Sequence, residues 1–206
     1  MEKKNRVFEQ TCKGYLAEVT GIDFRRVEGR LGIAARKDGA VIPLLGTDYL
    51  VGGKAVTGPG GKTPSTAVCV ILCKYLLMCP AAAPPDADWV SFRDFRDAAP
   101  LIASFANTVE RALAREFTGR TTDLRQAAEA LGGRPPADSY RYDISLVIPA
   151  LPRVPLLLLF NDVAEGFPAA CSVLFERRAA RYLDMECLAM VGMLLADRLK
   201  QMLLHK

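Results

Sequence analysis

Several side chains in this 206-residue chain have the type and spacing for chemistry. Asp162 and Glu165 follow an apolar run in the segment LLLLFNDVAEGFP, and Phe167 closes the same turn. A strand end fixes such groups while the following loop exposes them. Two converging carboxylates do general acid–base work or bind a hard cation. A polar turn with a capping acid is the simpler alternative. Trp89, the single tryptophan, precedes the segment SFRDF. A ligand stacked on its ring would pair with Arg93, which is expected to share one helical turn with Arg96. An apolar anchor for the preceding loop is the simpler alternative. Cys69 and Cys73 lie four apart, with Cys79 following. Two thiolates on one helical face suit a soft metal, but zinc and iron–sulfur motifs need a second pair elsewhere. Buried cysteine in an apolar helix is the favoured reading.

Two further signals point away from an engine of known type. The loop PGGKTPS resembles the end of a phosphate-binding loop, but the glycine required ahead of Gly61-Lys62 is Val56. A surface loop is favoured over nucleotide binding. The single histidine is His205, next to the last residue of the sequence. A Ser–His–Asp or Cys–His arrangement and a multi-histidine metal site are therefore not expected.

These residues need elements to hold them. Apolar spacing predicts a helix over Asn5–Val19, stopped by Gly21. Strands are expected at Leu31–Arg36, Ala40–Leu44 and Gly46–Val51. The first two are joined through Asp38-Gly39, read as a type I′ turn with positive φ at both residues. Gly52–Pro64 is a glycine-rich loop. Ser65–Met78 is a helix apolar nearly all round and hence buried. The segment CPAAAPPDAD interrupts the chain before helices at Ala99–Phe117 and Thr122–Leu131. Tyr142–Ile148 and Val154–Phe160 are apolar throughout, which predicts central strands covered on both faces. A short strand at Cys171–Phe175 and a helix over Met185–Leu204, capped by Asp184, complete the chain. The expected fold is α+β: one domain over residues 1–206, with a mixed or antiparallel sheet and helices packed against it.

Composition narrows the function classes. Half the residues are hydrophobic and 24% are charged, which fits a globular chain. The net charge of +4 falls short of a nucleic-acid binder. The densest basic stretch, Arg177, Arg178 and Arg181, reads as a solvated turn paired with nearby acids. The start, MEKKNRVFEQ, lacks the apolar core of a secretory signal. A soluble, cytoplasmic protein with reduced thiols is expected. Each long apolar stretch is broken by charge or proline, such as Lys74, Pro149, Arg153 and Asp197, so no membrane span is expected.

The segment ALPRVPLLLLFNDVAEGFPAACSVLFERRAARYLDMECL resembles a bacterial and archaeal domain family of unknown function, found mostly in anaerobes. Leu151, Pro152, Val154, Pro155, Asp162, Glu165, Phe167, Pro168, Leu174, Phe175, Tyr182 and Glu186 carry the resemblance. It runs more loosely through Gly46, Tyr49, Val51 and the Trp89–Phe92 segment. The chain departs from the family pattern at Asn161, where the family has an aromatic residue, at Ala164 and Gly166 around Glu165, and at Glu176, where the family has Asp. Some members carry an iron–sulfur domain of the type found beside corrinoid proteins, and this chain has no such cysteine cluster. The resemblance implies an anaerobic, cofactor-related setting and no reaction.

The residues favour a non-catalytic binding or accessory module for a small ligand, a cofactor or a redox protein. Trp89, Arg93, Asp162, Glu165 and Phe167 are its candidate binding residues. Two alternatives stay open: a metal-dependent enzyme using Asp162 and Glu165, and an interaction protein working through an apolar face of its last helix. The sequence names no cofactor and no metal.

Overall fold

The computed structural model describes residues 12–85 and 87–204. The expected helical residues 5–11 and His205 lie outside that range. The described chain is α+β, with two four-stranded antiparallel sheets rather than one.

The first helix, α1, covers residues 12–19 of the described chain. A second helix, α2 (Phe24–Leu31), was not expected, and it takes Leu31, the first residue of the expected strand. Its signals are local: the Asp23 carboxylate accepts a hydrogen bond from the Arg25 N–H, and Gly32 stops the helix at φ 68°. Strand β1 is therefore only Ala34–Arg36. It is followed by β2 (Gly39–Leu44), β3 (Thr47–Val51) and a short β4 (Val56–Thr57) inside the glycine-rich segment. These strands pair in chain order.

The hairpin turns correct the sequence reading. Arg36 pairs with Gly39, so Lys37 and Asp38 form the first turn, and neither has positive φ. Gly39 is instead a strand residue, and the position needs glycine because a Cβ there would sit 2.3 Å from the Val51 carbonyl oxygen. The turn with two positive φ values is the next one, Leu45 (48°) and Gly46 (73°). Leu45 is buried in this strained conformation, and its N–H donates to the Ala150 carbonyl of the second sheet at 2.9 Å.

Helix α3 (Thr66–Leu77) is capped by Ser65 and buried along most of its length, as its composition requires. The chain from Ala99 to Phe117 winds irregularly. A 3-10 turn leads into α4 (Ile102–Phe105), then a π-helical stretch (Ala106–Glu110), then α5 (Arg111–Phe117). Helix α6 (Thr121–Ala130) follows.

The second sheet has the order β5 (Trp89–Ser91), β8 (Ala170–Glu176), β7 (Val154–Asn161), β6 (Ile144–Leu151). Strand β7 is central, as its apolar run predicts, but β6 lies at an edge. Its apolar content reflects a core-facing side and a partly covered edge rather than two strand neighbours. Alternation along β7 sends Leu156, Leu158 and Phe160 into the main core. Leu157 and Leu159 are also buried, but on the other face and outside that core.

Helix α7 (Met185–Leu204) is begun by Asp184, whose carboxylate accepts from the Cys187 N–H at 2.9 Å. Leu188, Val191, Leu195 and Leu199 are buried, and α7 packs against α3, α6 and the π-helical stretch. Gly192 permits the closest approach: a Cβ there would meet the Phe105 ring at 2.4 Å. Among the described residues, no helix is long and apolar enough to cross a membrane.

Candidate ligand-binding cleft

Strand pairing places Trp89 opposite Glu176 and Pro149 opposite Pro155. The β7–β8 register, with Leu156 opposite Phe175, brings these two pairs level. They form one row across the sheet face that turns away from the core. Above this row lies a cleft of about 640 Å³, lined among others by Trp89, Arg134, Pro136, Asp138, Pro149 and Glu176. The Pro135–Asp138 segment leaves α6 through Gly132 and Gly133. It is pinned to the free edge of β6, where Arg134 and Val147 exchange backbone hydrogen bonds of 3.0 and 2.7 Å. Gly132 has φ 84°, and a Cβ on it would press on Pro149 at 3.2 Å.

Glu176 is 8% exposed and is the buried charged side chain among the described residues. Its Oε2 accepts from Arg178 Nε at 2.6 Å, within the 3-10 turn Arg177–Arg181. That pairing raises the Arg178 guanidinium above its ordinary range. The expected solvated turn with paired arginines is thus partly realised. The family resemblance marked Glu176 as a departure from Asp; nothing local in the sequence marked it as a cleft residue. Arg134 carries no signal beyond its place after Gly132-Gly133.

A second recess, of about 460 Å³, lies beyond the Asp162 end of β7, lined by Thr121, Thr122, Arg125, Asp143 and Asp162. The Asp162 carboxylate is occupied: it accepts from the Gly119 N–H at 2.8 and 3.1 Å and from the Val163 N–H at 2.8 Å. The Asp162 N–H donates to Asp143 Oδ2 at 2.8 Å. A third recess shares Arg125 and Asp143 with the second, and Pro135–Asp138 with the Trp89 cleft. The segment 135–143 thus contributes to the lining of all three recesses.

The five sequence candidates fall at three places. Trp89 lines the large cleft as the first residue of strand β5, directly after the proline-rich segment. Arg93 sits on the single 3-10 turn Phe92–Asp94, without Arg96, and its charge acts on Glu110. Burial raises the Glu110 carboxyl above its ordinary range, against the Val173 N–H that it accepts at 3.2 Å and the charges of Arg93 and Arg111. Asp162, Glu165 and Phe167 lie past the far end of β8, a seven-residue strand about 20 Å long. Ala164 and Phe167 exchange hydrogen bonds of 3.1 and 2.9 Å around Glu165-Gly166. Glu165 and Phe167 line none of these recesses, and Phe167 is 74% exposed.

Cys69 and Cys73 of α3 are buried, and so is Cys12 beside them. Burial pushes the Cys69 and Cys73 thiols up to about 12, aided by the neighbouring thiols. At that value they are neutral thiols at physiological pH, in keeping with buried cysteine in an apolar helix. Among the described residues, no group of three or more His, Cys, Asp or Glu side chains is arranged to hold a metal ion.

An α+β chain with two antiparallel sheets and an aromatic cleft on the outer face of one defines a class of architecture, not a reaction. Residues 23–198 match the family described as Domain of unknown function (DUF3786), and the chain belongs to that family. No curated protein and no solved structure shows significant similarity to it.

Proposed function

We propose that this protein is a non-catalytic binding module whose small ligand sits in the Trp89 cleft. The observation that carries the reading is the pairing of the single tryptophan with a buried carboxylate, Glu176, in the wall of a cleft of about 640 Å³. Concave, mostly apolar sites with a few fixed polar groups are the usual form of small-molecule sites. The family resemblance adds the setting: a soluble cytoplasmic accessory protein in an anaerobe, serving a cofactor or a redox pathway. Of the other sequence candidates, Asp162 lines the second recess, while Arg93 neighbours Glu110.

A second reading, a protein partner docked at the β7–β8 tip, is favoured by the exposure of Phe167 (74%) and Val163 (56%). The metal-dependent enzyme gains no comparable support, because the Asp162 carboxylate is taken up by backbone N–H groups. The last helix gives an interaction role no open apolar face along its buried stripe.

Because Trp89 is the only tryptophan, its emission reports the cleft directly. Small-molecule fractions of an anaerobe's cytosol, titrated into the full chain, are expected to shift or quench that emission and raise the melting temperature. Absence of both effects with every fraction, on protein shown to be folded, would defeat the ligand-binding reading.

A further inference from the structure

The geometry points to a small zwitterion with an apolar or aromatic body, the chemical class of the α-amino acids, as the occupant of the Trp89 cleft. This assignment rests on the reading of the cleft as a ligand site. The polar groups around the cleft supply both signs of charge. Glu176 gives Oε2 to Arg178, which leaves Oε1 for a second donor. The indole of Trp89 stands beside it in the same cross-strand pair. A carboxylate next to an aromatic face is suited to a cationic nitrogen, which gains from the ring quadrupole and the hydrogen bond together. Asp138 adds a second acid to the lining.

The anionic end has a different partner. The Arg134 side chain has no ion pair or hydrogen bond among the described residues, and it lines the same cleft. One guanidinium matches one carboxylate, through paired N–H donors. With Glu176 neutralised by Arg178, the remaining charges are Arg134 and Asp138, which cancel. A lining with separated charges and no net charge favours a zwitterion over a simple cation or anion. Pro136, Pro149 and the Trp89 ring, which line the same cleft, are apolar and suit a hydrocarbon or aromatic body.

Three probes with the same phenyl body separate the possibilities: L-phenylalanine, phenethylamine and 3-phenylpropanoate. Each is titrated into the full chain, with Trp89 emission excited beyond the phenyl band and with calorimetry as a second readout. Phenylalanine is expected to bind on the order of tenfold more tightly than either singly charged analogue. In Arg134→Gln, an exposed substitution, its advantage over phenethylamine is expected to vanish. In Asp138→Asn its advantage over 3-phenylpropanoate is expected to shrink. Equal binding of phenylalanine and one analogue overturns the zwitterion assignment and leaves the ligand site standing. So does the failure of all three probes while cytosolic fractions still shift Trp89. Silence of Trp89 toward probes and fractions alike overturns both readings.

Discussion

At the scale of single residues, the side chains that hold the molecule together are mostly distinct from those proposed to bind. Tyr75 is buried, donates its hydroxyl to the Leu31 carbonyl at 2.6 Å and accepts from the Arg153 N–H at 3.1 Å. One hydroxyl thus satisfies the end of α2 and the β6–β7 turn. Tyr75→Phe leaves two backbone groups short of a partner and is expected to cost about 1–3 kcal/mol in urea denaturation. A loss within a few tenths of a kcal/mol would mean that water replaces the hydroxyl. Asp184 gives a pH prediction. Burial opposes its ionisation, but the Cys187 N–H and thiol and the Lys74 ammonium, 3.1 Å away, outweigh it and hold its pKa below the ordinary range. A depressed carboxyl pKa stabilises the fold above the unfolded-state value, and that contribution is lost as pH falls through the folded value. Stability below about pH 4 is therefore expected to fall more steeply in the wild type than in Asp184→Asn. Parallel acid profiles would contradict this assignment.

At the scale of elements, the β7–β8 hairpin does two separate jobs. Its β8 strand gives Glu176 to the Trp89 cleft, while its Asp162 end ties down the loop between α5 and α6. Asp162→Ala removes the acceptor for the Gly119 N–H. It is expected to cost about 1 kcal/mol and to leave ligand titrations of Trp89 unchanged. Loss of binding without loss of stability would instead put this carboxylate in the site. Helix α7 meets α4 where Gly192 faces Phe105. Gly192→Ala forces the ring aside and is expected to destabilise by about 1–3 kcal/mol, despite alanine's better helix propensity. A stabilising outcome in thermal unfolding would mean that the ring has room to move.

At the scale of the whole molecule, the two sheets share one core. The cluster of buried residues runs from Val27 and Ile42 through Ile71 to Phe175 and Leu195. The Leu45 N–H bond to Ala150 joins the sheets directly, at the cost of a left-handed leucine. Unfolding is expected to be a single transition. Trp89 emission, which reports the second sheet, and far-ultraviolet circular dichroism should give coincident urea midpoints. Separate midpoints would divide the chain into two folding units.

Local features were legible wherever short-range physics sets them. The apolar surround of Thr66–Leu77 dictated its burial, the Asp184 cap started α7, and the uninterrupted apolar run of Val154–Phe160 marked a strand covered on both faces. The cap-and-stop pair Asp23 and Gly32 was equally local, yet the Asp38-Gly39 hairpin signal extended the strand expectation back to Leu31 and masked it. Asp38-Gly39 carried a turn signal that the pairing of Gly39 with Arg36 and its contact with Val51 redirected into a strand. The positive-φ turn went to Leu45-Gly46, where burial and a bond to the second sheet outweigh leucine's preference.

The α+β class and most of the helices were determined by the sequence alone, because composition and periodicity are properties of neighbouring residues. Only the tertiary structure decided which candidate residues meet. Trp89 and Glu176 become partners through a strand pairing between distant segments, and Arg134 joins them through a bond to the edge of β6. Asp162, Glu165 and Phe167 are held a strand's length away. Register between remote strands depends on how every face packs at once, and no short window of sequence carries that information.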